Sequence, residues 1–199
     1  MGIKKWLANR KEDDTAFEEL TLSSMKPGFL VDYDLKTWEV GDCYIYDYDG
    51  DMARACELRS GDGDVRFLER AEDEGRVDMT LTRRISLKDV KEDVAGTILD
   101  QQDPPEVLSF EEVQYQAEES STGTRRKDGD PGDDDGEVDR DGEADRDGEA
   151  DRDFVSWTYE SEGGRVLFVM QSGERDFAAY EGERVEEYQF TDILPGPVG

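Results

Sequence analysis

Apolar and polar side chains alternate with period two along most of this chain, the pattern of strands with one buried face. Pro27-Gly28 opens a strand through Phe29 and Val31, and Trp38-Glu39-Val40 begins the next. The run Cys43-Tyr44-Ile45-Tyr46-Asp47-Tyr48 is rich in aromatic and β-branched residues and leads into Asp49-Gly50, a pair that predicts a two-residue hairpin turn. With the turn there, strand partners sum to 99: Tyr48 faces Asp51, Tyr46 faces Ala53 and Cys43 faces Cys56. A second hairpin is predicted around Gly61-Asp62-Gly63-Asp64, and a third connection at Asp73-Glu74-Gly75. Segment 87–102 is the best internal helix, with apolar Leu87, Val90, Val94, Ile98 and Leu99. Gly96 weakens it enough to break it in two, and Asp103-Pro104-Pro105 ends it. Strands resume at 107–110 and 113–117, and after a long polar interval at 154–159, 166–170, 177–180 and 185–190.

The two strand-rich halves are alike. Ser60, Gly63, Val65 and Phe67 match Ser161, Gly164, Val166 and Phe168 at an offset of 101, and the same offset aligns Cys56 and Leu58 with Trp157 and Tyr159. Leu81-Thr82 and Ile85 are aligned with Phe190-Thr191 and Ile193, and Trp38 and Val40 with Val113 and Tyr115. The expectation is a duplicated β-meander. The fold class is therefore mainly β: antiparallel sheets from two related meanders, a short helix between them, and a disordered acidic insert. The boundaries are an N-terminal amphipathic segment (1–24), meander one (25–88), the connecting helix (89–103), meander two (104–194, with the insert at 120–153) and a tail (195–199).

Charge changes the picture locally. Between Asp128 and Asp153 lie fourteen acidic residues, three arginines and no aromatic residue, a composition that cannot build a core. The whole chain carries a formal charge of −29, which disfavours nucleic acid because phosphates would be repelled. Arginines outnumber lysines sixteen to eight, a balance that suits a salt-adapted or high-GC source. The start runs against the trend: Ile3, Trp6 and Leu7 share a helical face ringed by Lys4, Lys5, Arg10 and Lys11. Residues 1–12 are thus read as a short basic amphipathic helix suited to peripheral membrane contact. No stretch reaches the roughly eighteen apolar residues of a membrane span, and no signal peptide is legible. The expected location is cytoplasmic, at most peripheral at the inner membrane face, and Cys43 and Cys56 are accordingly expected to be reduced.

Catalytic chemistry is not legible. The chain has no histidine, no Gly-rich phosphate loop and no nucleophile elbow, so no enzyme activity, cofactor or metal is expected. Two frames resemble half an EF-hand loop. One runs through Glu143, Asp145, Asp147 and Gly148, but Phe154 stands where the bidentate Glu belongs; the other starts at Asp47, with Met52 and Leu58 at the glycine and glutamate positions.

The segments Lys26-Pro27-Gly28, Val31-Asp32-Tyr33, Trp38-Glu39-Val40, Glu57 to Gly61, Leu81 to Ile85, Asp103-Pro104-Pro105 and Glu174 to Tyr188 resemble the domain of unknown function 4178 family (DUF4178). The likeness runs from about Met25 to Pro195 apart from the insert. It implies a β-rich body and brings no catalytic residues; the association of such proteins with membrane-stress systems implies an accessory role near membranes. The expected function is that of a non-enzymatic accessory or interaction protein with a protein partner, contacted through Trp6, Trp38, Tyr44, Tyr46 and Tyr48. The alternative is an acidic binder of a divalent cation or polyamine through the Asp-rich insert.

Overall fold

The computed structural model describes residues 20–73, 75–129 and 151–196. Residues 1–19, with Trp6 and the helix expected there from sequence, and most of the acidic insert lie outside them. Among the described residues eleven antiparallel strands form one sheet. In the first half are β1 (Leu30–Tyr33), β2 (Lys36–Tyr48), β3 (Asp51–Ser60), β4 (Val65–Asp73) and β5 (Arg76–Ile85). A helix, α1 (Val94–Gln101), leads to β6 (Val107–Phe110), β7 (Val113–Lys127), β8 (Arg152–Glu160), β9 (Arg165–Gln171), β10 (Phe177–Arg184) and β11 (Phe190–Leu194). The mainly β expectation holds.

The sheet closes on itself. Its order runs β2-β3-β4-β5-β10-β9-β8-β7, and β7 returns to β2. The two meanders, β2–β5 and β7–β10, therefore share one eight-stranded barrel with two seams. One seam pairs β5 with β10, from Ala179↔Ile85 to Arg184↔Thr80. The other pairs β2 with β7 over four partners, Tyr44↔Lys127 to Asp47↔Thr124. Each seam carries a glycine where no side chain fits. A Cβ on Gly123 would lie 2.1 Å from the Asp47 carbonyl oxygen, and one on Gly182 would lie 2.0 Å from that of Leu81. Outside the barrel, β1 and β11 extend the sheet beyond β2, and β6 extends it beyond β7.

The duplication is visible in register. Val40↔Leu58 in the first meander corresponds to Ala117↔Tyr159 in the second, each followed by a bulge, and then Cys43↔Cys56 corresponds to Ser120↔Trp157. The hairpin turns agree too: Ser60 Oγ accepts from the Asp64 N–H at 3.1 Å and Ser161 Oγ from the Arg165 N–H at 3.0 Å. Two expected correspondences are corrected. Trp38 and Val40 align with Tyr115 and Ala117, because the tight turns Asp34-Leu35 and Glu111-Glu112, all four residues at positive φ, set the spacing. Leu81-Thr82 lies in β5, whose counterpart is β10: Phe67 faces Thr82 as Phe168 faces Tyr180. Strand β11 instead edges β1, with Phe190 opposite Tyr33.

The helix is shorter than the periodicity of 87–102 implies, and it does not break at Gly96. Residues Leu87–Asp89 form a single 3₁₀ turn. Next, Lys91 N–H bonds to Ser109 O at 3.0 Å, and the Glu92 carboxylate accepts from Ser109 N–H at 2.7 Å and Oγ at 3.0 Å. Those bonds tie 91–92 to β6 and keep them out of a helix. Asp93 then caps α1 by accepting from the Gly96 N–H at 3.1 Å. Gly96 suits that cap, since a Cβ there would meet Asp93 Oδ2 at 2.3 Å.

Side chains on the outer barrel face bury into two clusters. The first joins Trp38, Val40, Cys43, Cys56, Leu58 and Leu68 to Val31, Phe190, Leu22 and Met25. The second packs Val94 and Ile98 of α1 with Leu108, Tyr115, Trp157, Tyr159 and Leu167. Fully burying one such Leu or Val stabilises by roughly 1.5–3 kcal/mol. A charged group sits beside the second cluster: Glu181 of β10 is only 1% exposed. It pairs with Arg83 Nε at 3.2 Å and with Arg165, and it accepts from Tyr115 Oη at 3.2 Å. Arg83 in turn grips both oxygens of Glu111 at 2.9 Å. These contacts pin the β5–β10 seam to β9, β7 and the β6–β7 turn.

Cys43 and Cys56 face each other as the Asp-Gly turn requires, but they are joined by a disulfide rather than being two free thiols. Direct cross-strand pairing brings their Cα atoms within 4.1 Å, and the expectation of reduced cysteines is corrected accordingly. No helix among the described residues is long and apolar enough to cross a membrane.

Candidate functional site

Alternation along a strand sends every second side chain to the opposite face. The bulge between Val40 and Cys43 shifts that phase. Trp38, Val40 and Cys43 therefore face the first outer cluster, while Tyr44, Tyr46 and Tyr48 face into the barrel. Their partners across the ladders, Ala53 and Ala55 on β3 and Glu69 and Ala71 on β4, are small or polar, so the barrel is not filled. It encloses a cavity of about 860 Å³, within the range typical of small-molecule sites.

The apolar part of the wall is aromatic. Tyr46 and Tyr48 stack with centroids 6.1 Å apart, and Phe154, which is not itself part of the wall, meets both edge-on at 5.6 and 5.3 Å. Across the lumen Phe67 and Tyr180 form an edge-to-face pair at 5.2 Å. The charged part is mostly acidic, with seven carboxylates and one cation, Arg125, lining the cavity beside serine and threonine hydroxyls. Asp42 is already paired with Lys127 at 2.9 Å, and Glu57 with Arg59. The Arg125 guanidinium lies 4.8 Å over the Tyr44 ring and hydrogen-bonds the Tyr46 hydroxyl.

Glu69 is the unusual member. Half-buried on the cavity wall, its carboxyl is pushed up to about 7 by loss of solvation, offset only by a hydrogen bond from Tyr48. Among the described residues no cation is paired with it. The Tyr48 hydroxyl is raised in turn, first by burial and then by the Glu69 charge. Tyr46 is raised to about 12, chiefly by burial, against the opposing pull of Arg125.

The residues read as contacts from sequence separate. Tyr44, Tyr46 and Tyr48 converge on the cavity. Trp38 does not: it is 3% exposed, and its Nε1 donates to the Tyr33 carbonyl at 3.1 Å. As a contact for a protein partner Trp38 is corrected to a core residue, and the three tyrosines line an interior. Trp6 lies outside the described residues, as do positions 143–150 of the EF-hand-like frame at 143–154. The frame starting at Asp47 is occupied by the hairpin itself, where Asp47 Oδ1 accepts from the Gly50 N–H at 2.6 Å. Among the described residues no group of three or more His, Cys, Asp or Glu is arranged to hold a metal ion.

Glu69, Arg125 and Tyr180 were not singled out from sequence. Glu69 was within reach, since it shares a face with Phe67 in a hairpin already read. Arg125 was not, because 120–153 is read as insert, whereas β7 continues to Lys127 and pairs with both β8 and β2.

A protein of Aquifex aeolicus (strain VF5), described as "Uncharacterized protein", is 23% identical over 197 residues, covering 97% of this chain and 96% of the relative. No solved structure matches. The family described as Domain of unknown function (DUF4178) matches residues 26–187. The chain, with its closed and hollow barrel, belongs to the DUF4178 family.

Proposed function

We propose that this protein is a non-enzymatic binding protein whose barrel holds a small ligand. The observation that carries the reading is the cavity of about 860 Å³ inside a closed eight-stranded barrel, walled by aromatic rings, carboxylates and hydroxyl groups. Barrels of this strand number hold either packed side chains or one small ligand, and here the ladder positions facing Tyr44 and Tyr46 are alanines. With no histidine in the chain, a His-based triad or acid–base pair is not available, which favours binding over catalysis.

The test is titration of a neutral, environment-sensitive dye such as N-phenyl-1-naphthylamine into the wild type and two filled variants, Ala55→Phe and Ser121→Phe. Saturable one-to-one binding, lost in whichever filled variant keeps its fold, is expected. Absence of binding, or binding indifferent to both fillings, refutes the reading.

A protein partner is a second reading, favoured by one observation. Leu35 and Tyr188 are 105% and 80% exposed, and the Tyr33↔Phe190 pairing brings their segments to the same end of β1 and β11. An accessory role would use that end, not the inward tyrosines. Affinity capture from the native host with Leu35→Ser/Tyr188→Ser as the comparison bait should lose a specific partner; an unchanged set of proteins rules this surface out.

A further inference from the structure

We propose that the ligand is a small organic cation with an apolar body, and that the Glu69 carboxylate is its counter-ion inside the barrel. This rests on the binding reading above and names what is bound. Three observations converge. Carboxylates outnumber cations seven to one around the cavity, and five of the seven remain after Asp42 and Glu57 are paired with Lys127 and Arg59, so the balance of charge disfavours an anionic ligand. The wall between those carboxylates is aromatic, and ring faces attract cations electrostatically. The fold already uses that attraction, because the Arg125 guanidinium rests 4.8 Å over Tyr44.

Glu69 supplies the third and most specific observation. Buried carboxylates are ordinarily paired with a cation. Glu69 is half-buried on the cavity wall, held by one hydroxyl from Tyr48, and among the described residues no cation is paired with it. Arg125 does not fill that role, for its guanidinium is engaged with Tyr44 and Tyr46. Glu69 is thus half of an ion pair, facing a space large enough for the other half. A protonated amine or quaternary ammonium placed there would meet the Glu69 charge at one end, with Phe67 and Tyr180 available for its apolar body.

The experiment separates charge from shape. The probes are benzyltrimethylammonium and choline as cations, 3,3-dimethylbutan-1-ol as the uncharged isostere of choline, 3-phenylpropionate as an anion, and the neutral dye. Each is titrated by calorimetry or dye displacement into the wild type, Glu69→Gln, Tyr48→Phe and the surface control Asp89→Asn. The cations are expected to bind at least tenfold more tightly than the isostere and the anion. Glu69→Gln should weaken the cations at least tenfold while leaving the dye unaffected, and Asp89→Asn should change nothing. Equal affinity for choline and its isostere overturns the proposal, as does a loss of cation binding that is the same in Asp89→Asn as in Glu69→Gln. In either case continued dye binding leaves the hollow-barrel reading standing. Failure of every probe, the dye included, overturns both.

Discussion

Replacing Glu181 by Gln keeps the shape of a buried side chain and removes its charge, and the structure sets the size of the effect. The carboxylate is 1% exposed and serves three partners, Arg83, Arg165 and Tyr115. Removing one partner of a buried ion pair costs about 3–5 kcal/mol, because the remaining charge is left uncompensated. Here the arginine side chains are 36% and 40% exposed, so water takes up part of what they lose. Arg83 also retains Glu111 at 2.9 Å. The lower end of the range, about 3 kcal/mol, is therefore expected. With a urea m-value near 2 kcal/mol/M, the midpoint of unfolding should fall by about 1.5 M. Tyr115→Phe, which removes one hydrogen bond to a charged group, should cost about 1.5 kcal/mol. The double variant should cost less than the two single variants combined, since they share one interaction. Two strand positions on, Glu183 is exposed, and Glu183→Gln should stay within about 0.5 kcal/mol of the wild type. The assay is tryptophan fluorescence against urea for all four variants. A Glu181→Gln midpoint indistinguishable from that of Glu183→Gln would refute the claim that this network holds the seam.

Other expectations follow from the disulfide, the cavity-wall acid and the seam glycine. The Cys43–Cys56 bond closes a 13-residue separation, so reduction, or Cys43→Ser with Cys56→Ser, should cost about 3 kcal/mol on loop-entropy grounds; urea midpoints with and without dithiothreitol check it, and the double variant should ignore the reductant. Because the Glu69 carboxyl stands at about 7 when folded against an ordinary 4.5, the native state holds a proton that the unfolded state releases. Stability should accordingly fall as pH rises between those two values and level off above about 7; Glu69→Gln should flatten that part of the profile, and parallel profiles would contradict it. Gly123→Ala places a Cβ where the Asp47 carbonyl oxygen already lies, 2.1 Å away, forcing β2 and β7 apart. A cost of about 2 kcal/mol, seen as a drop of about 4–8 °C in melting temperature, is expected in a thermal scan.

Local features were legible in the sequence because local chemistry decides them. Asp49-Gly50 fixed the β2–β3 register, and the pairs deduced from it, Tyr48↔Asp51, Tyr46↔Ala53 and Cys43↔Cys56, are those the structure contains. The offset of 101 between the meanders was readable for the same reason, since Ser60 and Ser161 make the same turn. Closure of the barrel was not readable. It depends on β2 meeting β7 and β5 meeting β10 across long stretches of chain, and the marks it leaves are single glycines, Gly123 and Gly182, with nothing in sequence to set them apart. The cavity escaped for a related reason. Alternation locates the two faces of a strand, but it does not tell a face toward solvent from one toward an enclosed space. Glu69 and Thr80 therefore read as ordinary exterior polar residues. Trp38 was misplaced by the opposite error, because the bulge after Val40 puts it and Tyr44 on different sides.

The join between β7 and β8 bears on how this chain tolerates change in length. Arg125 faces Arg152 across the ladder, Asp128 N–H bonds to the Cys43 carbonyl at 2.8 Å, and the Asp128 carboxylate bonds to Arg54 Nε at 2.7 Å. The strands are thus fastened at the two ends of the acidic stretch. For such a connection each doubling of loop length costs only about 0.6 kcal/mol in closure entropy. Residues can be gained, lost or exchanged at this point with little consequence for the barrel, which makes it a permissive position. Relatives are free to differ there in length and charge while keeping the same interior, and a reporter domain could be grafted there without disturbing the cavity.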